Sequence, residues 1–282
     1  MRVKIVTDST ADLPQKLIND HNISVVPLNV HFGEEVYKDG VEIWSHEFYN
    51  RLRNEPVLPN TSQPAPGEFL TTFQKIAKPG DTIICIHISL EMSGTADSAR
   101  LAAQMLGEEY RVEIIDSRYV SMALGLIVLK AAILAEQNAA PEIIIENIKQ
   151  AQKDVEIYFT LNSLEHLNRT GRIGRASTLL GSLLNIKPLL SIRDGVIIPV
   201  EKIRGNFQKV ASLMVEKLAH RYGKTPLISS IVHTELPEQA LILQKIAEER
   251  LNIVESYPGI VGPIVGSHAG PTTIGIITLP AT

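Results

Sequence analysis

Residues 83–100 read IICIHISLEMSGTADSAR, and this stretch decides the fold that the sequence predicts. Residues 83–88 form a mostly apolar run rich in β-branched side chains, which is typical of a buried strand. Residues 95–104 are rich in alanine, leucine and other good helix formers. Between the two lies Ser93-Gly94-Thr95, where hydroxyls flank a residue that lets the backbone approach a ligand closely. A strand that enters a helix through such a turn leaves N–H groups unpaired, so the turn favours an anion.

The same alternation of strands and helices extends over the first half of the chain. Strands are predicted at residues 4–7, 23–30, 83–88 and 112–115, with helices between them. This order predicts a parallel sheet that is covered by helices on both faces.

The pattern changes after about residue 154. Asp194-Gly195 lies between two apolar segments, which is the strongest short signal for a two-residue hairpin. Hairpins and crossovers are mixed from there to the end of the chain. We therefore expect an α/β protein with two domains. Residues 1–155 would form a domain with a mostly parallel sheet flanked by helices, and residues 156–282 an α+β domain with a mixed sheet.

The composition is that of an ordinary globular protein. The chain has 282 residues, of which 44% are hydrophobic and 21% charged, and its net charge is −4. These values disfavour disorder, stable membrane insertion and a nucleic-acid partner. Cys85 is the only cysteine, so no disulfide forms within the chain, which suits a reducing cytoplasm. The sequence passes straight into a predicted strand without a signal peptide, so we expect a cytoplasmic protein.

Small polar residues follow several predicted strands. They are Thr7-Asp8-Ser9-Thr10, Ser93-Gly94-Thr95 and Asp116-Ser117. Each alone is typical of a helix cap, but ligands of open α/β sheets bind at the carboxyl ends of the strands. Thr61 and Ser62 could add hydroxyls from a loop, or could simply form a turn.

The chemistry near Ser93 favours one class of anion. The sequence has neither a Walker A motif nor a G-x-G-x-x-G motif after a strand. The nearest downstream cation, Arg100, is nearly two helical turns away. Hydroxyls and N–H groups without a fixed cation suit a carboxylate better than a triphosphate.

His268 is the histidine that we assign to the site. It lies in Gly262-Pro263-Ile264-Val265-Gly266-Ser267-His268-Ala269-Gly270-Pro271, which we interpret as a loop with an unusual backbone path. A purely structural histidine is an equally open alternative. The other seven histidines show no pair at metal-ligand spacing, so no metal is expected.

A basic segment runs from Asn168 to Arg204. It holds seven basic residues against two acidic ones, a local charge of +5. A solvated surface is one interpretation, and a patch for an acidic protein or a phosphorylated ligand is another. Nucleic acid is disfavoured because aromatic residues are not interleaved with the charges.

Taken together, these motifs resemble the DegV family of bacterial fatty-acid-binding proteins over essentially the whole chain. The motifs are Thr7-Asp8-Ser9-Thr10-Ala11-Asp12-Leu13, Thr61-Ser62-Gln63-Pro64, Ser93-Gly94-Thr95, Asp116-Ser117, Gly171-Arg172-Ile173, Leu183-Leu184-Asn185-Ile186-Lys187-Pro188, Arg204 and Gly266-Ser267-His268-Ala269-Gly270-Pro271. Two departures from the family pattern are Thr272-Thr273, where a glycine is expected, and Arg169-Thr170-Gly171-Arg172 in place of Lys-Gly-Gly-Arg.

The resemblance implies a long-chain fatty acid, such as palmitate, stearate or oleate, held between two α/β domains without a cofactor or a metal. Its carboxylate would contact Thr61, Ser62, Ser93, Gly94, Thr95 and His268. The protein would be no enzyme but the acyl-carrier subunit of a fatty acid kinase, which phosphorylates the acid for phospholipid synthesis. Arg169, Arg172 and Arg204 would form the face that docks the kinase. We expect a monomer.

Two other functions stay open from the residues alone. A serine hydrolase of acyl esters could use Ser93 and His268, although no G-x-S-x-G motif is present and no orienting carboxylate is apparent. A regulatory module could sense a lipid and act through the basic segment.

Overall fold

The computed structural model describes residues 2–181 and 186–281. Its strands are β1 (Val3–Asp8), β2 (Ser24–Val26), β3 (Asn29–Phe32), β4 (Glu35–Lys38), β5 (Asn60–Ser62), β6 (Thr82–His87), β7 (Arg111–Asp116), β8 (Glu156–Thr160), β9 (Lys187–Arg193), β10 (Val196–Ile203), β11 (Leu227–His233), β12 (Ile253–Ser256), β13 (Gly259–Ile260) and β14 (Ile274–Pro280). Its α-helices are α1 (Gln15–Asp20), α2 (Ser45–Asn54), α3 (Pro66–Ile76), α4 (Thr95–Leu106), α5 (Met122–Glu136), α6 (Pro141–Asp154), α7 (Glu165–Arg169), α8 (Phe207–Tyr222), α9 (Pro237–Arg250) and α10 (Pro263–Ala269). Two 3₁₀ helices cover Ser9–Ala11 and Gly174–Leu179.

The strands form three sheets. The first half of the chain builds a parallel sheet in the order β2-β1-β6-β7, and the second half builds a mixed sheet in the order β10-β9-β8-β14-β11-β12, with β13 also on β11. A small antiparallel sheet, β4-β3-β5, lies outside both. The predicted α/β class, with a parallel sheet and a mixed sheet, is confirmed.

The sequence around β6 explains its central place in the parallel sheet. All six residues of β6 are buried, and β6 pairs in parallel with β1 on one side and β7 on the other. A strand that is covered on both faces needs a continuous apolar run, which is the pattern that predicted it. The chain then turns into α4 at the carboxyl end of β6.

The hairpin predicted at Asp194-Gly195 is also confirmed. Arg193 and Val196 pair across the turn between β9 and β10. Asp194 and Gly195 have φ angles of +51° and +80°. A two-residue turn of this kind needs positive φ at both positions, which aspartate and glycine tolerate best.

The helix α5 joins the two large sheets into one core. Ten of its residues are buried, and it packs against both β1 and β14. One hydrophobic cluster accordingly includes residues of both halves, for example Ile84 and Ile277. A division into two domains near residues 155 and 156 stays a prediction.

The structure corrects two details of the predicted first half. The strand expected over residues 23–30 is divided into β2, in the parallel sheet, and β3, in the small sheet. Pro27 lies between them, and its missing N–H suits the point at which the chain leaves one sheet for another. Thr61 and Ser62 lie on β5 rather than in a loop. Leu183, Leu184 and Asn185 of the motif that ends at Pro188 lie outside the described residues.

Candidate functional site

A cavity of about 340 Å³ lies between the mixed sheet and the segment that follows β6, which contributes Ile88, Met92 and Ser93. The mixed sheet contributes apolar side chains from four of its strands, which are Ile157 and Phe159 on β8, Ile192 on β9, Ile197 on β10 and Val232 on β11. All five are buried. The volume falls in the range of roughly 300–1,000 Å³ that is usual for small-molecule sites. This apolar part of the cavity suits a hydrocarbon.

The cavity also has a polar end. Its members are Thr61, Ser62, Gln63, Ser93, Gly94, Arg172 and His268. Among the described residues that line the cavity, only Gln63 and Arg172 are exposed. The polar end therefore faces the protein surface, while the apolar part of the cavity is buried.

The turn after β6 brings Ser93 and Gly94 to this end. The N–H groups of Met92 and Ser93 both donate to the carbonyl of Ser89, at 3.0 Å each. Gly94 precedes α4, and no side chain caps this helix. Ser93 is therefore not serving as a helix cap. Its hydroxyl instead shares a 2.9 Å hydrogen bond with that of Thr95, which is fully buried and does not line the cavity.

Gly94 lies close to Gln63, a residue that the sequence reasoning missed. A Cβ at position 94 would lie 2.4 Å from Gln63 Oε1, and Gln63 Nε2 donates to Ser98 Oγ at 2.9 Å. Gln63 thus ties β5 to the first turn of α4. A Cβ at position 94 would have to displace the amide end of the flexible Gln63 side chain, so the close approach favours glycine there. The signal that could have identified Gln63 as a site residue was its place directly after Thr61 and Ser62 in the sequence.

The small sheet holds the two hydroxyls of β5 in place. Thr61 pairs with Val30 and Ser62 with Asn29 across β3. Asn29 Nδ2 donates to Ser62 Oγ at 3.1 Å, and His31 Nε2 lies 2.9 Å from the same oxygen. Strand pairing therefore fixes the backbone of both residues, and Asn29 and His31 hold the Ser62 hydroxyl in a preorganised position, which suits an anion site.

His268 lies on α10, so the predicted loop is wrong for this residue. Glycine at positions 262 and 270 flanks a seven-residue helix that starts with Pro263, and a proline is well suited to the first turn. His268 Nε2 and Thr61 Oγ1 share a 2.8 Å hydrogen bond, whereas the buried Nδ1 has no hydrogen-bond partner within residues 2–181 and 186–281. Burial, followed by the charges of Arg172 and Arg169, lowers the pKa of His268 to about 4. The imidazole is therefore neutral at pH 7.

Two arginines stand near His268, which contradicts the expectation of a site without nearby cations. Arg172 Nε donates to the carbonyl of Met92 at 3.2 Å, and Arg169 Nη2 donates to that of Pro59 at 3.1 Å. The contact between Arg172 and Met92, the residue before Ser93, was not predicted because 80 residues of sequence separate the two. Arg172 was predicted only as a partner contact, but it also lines the polar end of the cavity. Arg204 lies on the surface beside the start of α8.

The other polar segments predicted at the strand ends do not line this cavity. Asp8 accepts from Thr10 N and Ile88 N at 3.0 Å each and contacts His87. It therefore stabilises the start of the turn after β6. Asp116 accepts from Leu90 N at 3.2 Å. Both carboxylates accept hydrogen bonds from backbone N–H groups of the loops.

The low pKa of His268 makes stability depend on pH in a defined window. Between its ordinary value of 6.5 and about 4, the unfolded histidine binds a proton and the folded one does not. Stability therefore rises with pH in this window and is lost as pH falls. We expect wild type to lose about 2 kcal/mol more than His268→Gln between pH 7 and pH 5, in urea denaturation.

The matched control for this pH prediction is His220→Gln, because His220 is exposed on α8. Its pH profile should follow that of wild type. Equal losses in wild type and His268→Gln would show that His268 is not held neutral by its surroundings.

The sequence and the fold are similar to those of known proteins. Residues 2–281 match a family described as uncharacterised protein, DegV family. The chain belongs to the DegV family. It is 36% identical over 278 residues to protein DegV of Bacillus subtilis, covering 98% of each chain.

Solved DegV structures share the fold closely. A DegV family protein of Thermus thermophilus, described with fatty acid binding, is 32% identical with a TM-score of 0.93, over 99% of this chain and 100% of the other. DegV of Bacillus subtilis, described as a fatty acid binding protein, is 35% identical with a TM-score of 0.91, over 99% of both chains.

No helix among residues 2–181 and 186–281 is long and apolar enough to cross a membrane. Within the same ranges, no group of three or more histidine, cysteine, aspartate or glutamate side chains is arranged to hold a metal ion.

Proposed function

We propose that this DegV protein binds a long-chain fatty acid, such as palmitate, stearate or oleate, without a covalent bond. The observation that carries the proposal is the shape of the cavity, which is apolar and buried at one end and polar at the exposed end. The DegV proteins of Thermus thermophilus and Bacillus subtilis, described as binding fatty acids, support the same ligand class.

The two ends of the cavity would contribute differently to binding. A buried acyl chain gains about 0.8 kcal/mol per methylene, so the tail dominates the affinity before the cost of association. Hydrogen bonds to a charged carboxylate add about 1.5–3 kcal/mol each. Thr61, Ser62, Ser93, the N–H groups near Gly94 and neutral His268 would therefore orient the acid, and Arg172 would balance its charge.

A carrier role fits the side chains better than the hydrolase alternative. Ser93 Oγ bonds to Thr95 and His268 Nε2 bonds to Thr61, so the serine and the histidine are each engaged elsewhere. His268 Nδ1 has no carboxylate beside it, although a triad needs one to orient the imidazole. Labelling of Ser93 by a fluorophosphonate, or ester turnover that is lost in Ser93→Ala, would favour the hydrolase.

We further propose that the protein presents the carboxylate to a fatty acid kinase, for phosphorylation and phospholipid synthesis. The polar end lies beside exposed Gln63 and Arg172, so a second protein can reach the acid without unfolding the carrier. Arg169, Arg172 and Arg204 would supply charges for docking. A regulatory module that acts through these arginines is the other reading, and pull-down with and without oleate separates the two.

The direct test of ligand class is calorimetry with oleate and with methyl oleate. The acid should bind and the ester should bind at least about tenfold more weakly, because it lacks the charged oxygens. Equal binding of acid and ester would show that the polar end does not recognise a carboxylate. For the partner, acyl-phosphate formation by a bacterial fatty acid kinase should fall in Arg204→Glu while oleate affinity stays unchanged.

A further inference from the structure

The carboxylate of Asp12 connects two elements that meet at the cavity. Gly262 N donates to Asp12 Oδ1 at 3.0 Å, and the hydroxyl of Ser121 donates to Asp12 Oδ2. Gly262 is the residue before α10, and Ser121 is the residue before α5. Ser121 also lines the fatty-acid cavity, whereas Asp12 lines a second cavity instead. One side chain thus bridges the wall of the cavity to the start of the helix that carries His268.

The helix α10 depends on such contacts for its position. With seven residues it is too short to be stable by itself, so tertiary contacts must hold it. Its start is fixed by Asp12 and by Tyr49, whose hydroxyl donates to the carbonyl of Val261 at 2.9 Å. The approach of Asp12 is close, since a Cβ at Gly262 would lie 2.7 Å from Asp12 Oδ1.

The backbone of Ser121 is strained. Ser121 has φ +57° and ψ −154°, a conformation that is almost confined to glycine, whereas Asp12 has φ +51°, which aspartate tolerates. Non-glycine residues persist in such conformations only where their surroundings hold them. A glycine at position 121 would remove the strain but also the hydroxyl. The serine therefore keeps its hydrogen bond to Asp12 at the expense of local stability.

We propose that Asp12 is a positioning residue of the fatty-acid site, which holds α10 against the cavity wall and so fixes His268 beside Thr61. The inference rests on the proposed function, because His268 matters through the carboxylate that it would orient. Asp12 itself does not line the cavity, so its effect on the ligand passes through Gly262 and α10.

The test uses three variants and one control in the full-length protein. Asp12→Ala removes the bridge, Asp12→Asn keeps its shape and its acceptor for Gly262, and Ser121→Gly removes one bond while relieving strain. Asp81→Ala is the matched control, because half-buried Asp81 likewise accepts from two backbone N–H groups, those of Arg2 and Lys78. The readouts are oleate affinity by calorimetry, the pKa of His268 by NMR titration without oleate, and the free energy of unfolding.

We expect Asp12→Ala to weaken oleate binding about tenfold and Asp12→Asn by no more than about threefold. In Asp12→Ala the pKa of His268 should rise from about 4 towards 6.5, because a displaced ring regains water. Ser121→Gly should be at least as stable as wild type, yet its His268 pKa should also rise. Asp81→Ala should change neither oleate affinity nor the His268 pKa.

The inference is overturned if folded Asp12→Ala keeps wild-type affinity and a low His268 pKa, or if Asp81→Ala shows the same changes. If Asp12→Ala does not fold, Ser121→Gly decides the matter through its His268 pKa. Failure of wild type to bind oleate contradicts the proposed function instead, and the titration of His268 still tests the role of Asp12.

Discussion

Replacement of Ile192 by tryptophan is expected to weaken the binding of long-chain fatty acids on the order of 100-fold while the protein stays folded. Ile192 lies on β9, is 1% exposed and lines the apolar part of the cavity. The larger ring would occupy room that the acyl chain needs. Exclusion of four methylenes costs about 3 kcal/mol, which weakens binding on the order of 100-fold.

The expected loss for Ile192→Trp depends on chain length. Stearate should lose more affinity than decanoate, because the shorter chain leaves the inner part of the cavity empty. Val254→Trp is the matched control, since Val254 lies on β12 at the edge of the same mixed sheet and is 58% exposed. Unchanged stearate affinity in folded Ile192→Trp would place the ligand elsewhere.

Removal of the hydroxyls at the polar end should have the second-largest effect. Thr61→Ala and Ser93→Ala each remove one hydrogen-bonding group from the site, at about 1.5–3 kcal/mol for a charged partner. Oleate binding should weaken by about 10–100-fold in each. The free energy of unfolding should fall by only about 1 kcal/mol, because each hydroxyl makes a single bond in the protein.

The comparison of oleate with methyl oleate shows whether the lost affinity concerns the carboxylate. Both variants should lose the preference of wild type for the acid, while the ester binds about as before. Thr71→Ala is the control, because Thr71 is exposed and its hydroxyl donates to Gly67 within α3. If the variants retain the full preference for the acid, the hydroxyls are only part of the protein framework.

Local patterns were sufficient to predict much of the fold. The apolar run of β6 predicted a strand covered on both faces, and Asp194-Gly195 predicted a hairpin, because each signal depends on neighbouring residues. The α10 helix was missed for the opposite reason. Glycine and proline disfavour a helix locally, and contacts with Asp12 and Tyr49, more than 200 residues away, hold it in place.

The site was predictable in part for the same reason. Ser93-Gly94 gave a local signal as a turn between strand and helix. Thr61 and His268 were candidates from their own segments, and the family resemblance implied that they contact the carboxylate. Arg172 was predicted only as a partner contact and Gln63 only as part of a motif. Their places at the polar end depend on contacts with Met92 and Ser98, which are distant in sequence. The expectation that no cation lies near Ser93 was wrong, because the fold brings Arg172 to the neighbouring residue Met92.

Native mass spectrometry of the protein, purified from a bacterial host without added lipid, tests the central claim most directly. We expect a mass increase that corresponds to one fatty acid of about 16–18 carbons, a length whose burial dominates the affinity. The increase should disappear in Ile192→Trp and persist in Val254→Trp. A protein that carries no fatty acid, and that also fails to take up added oleate or palmitate, would contradict the proposed function.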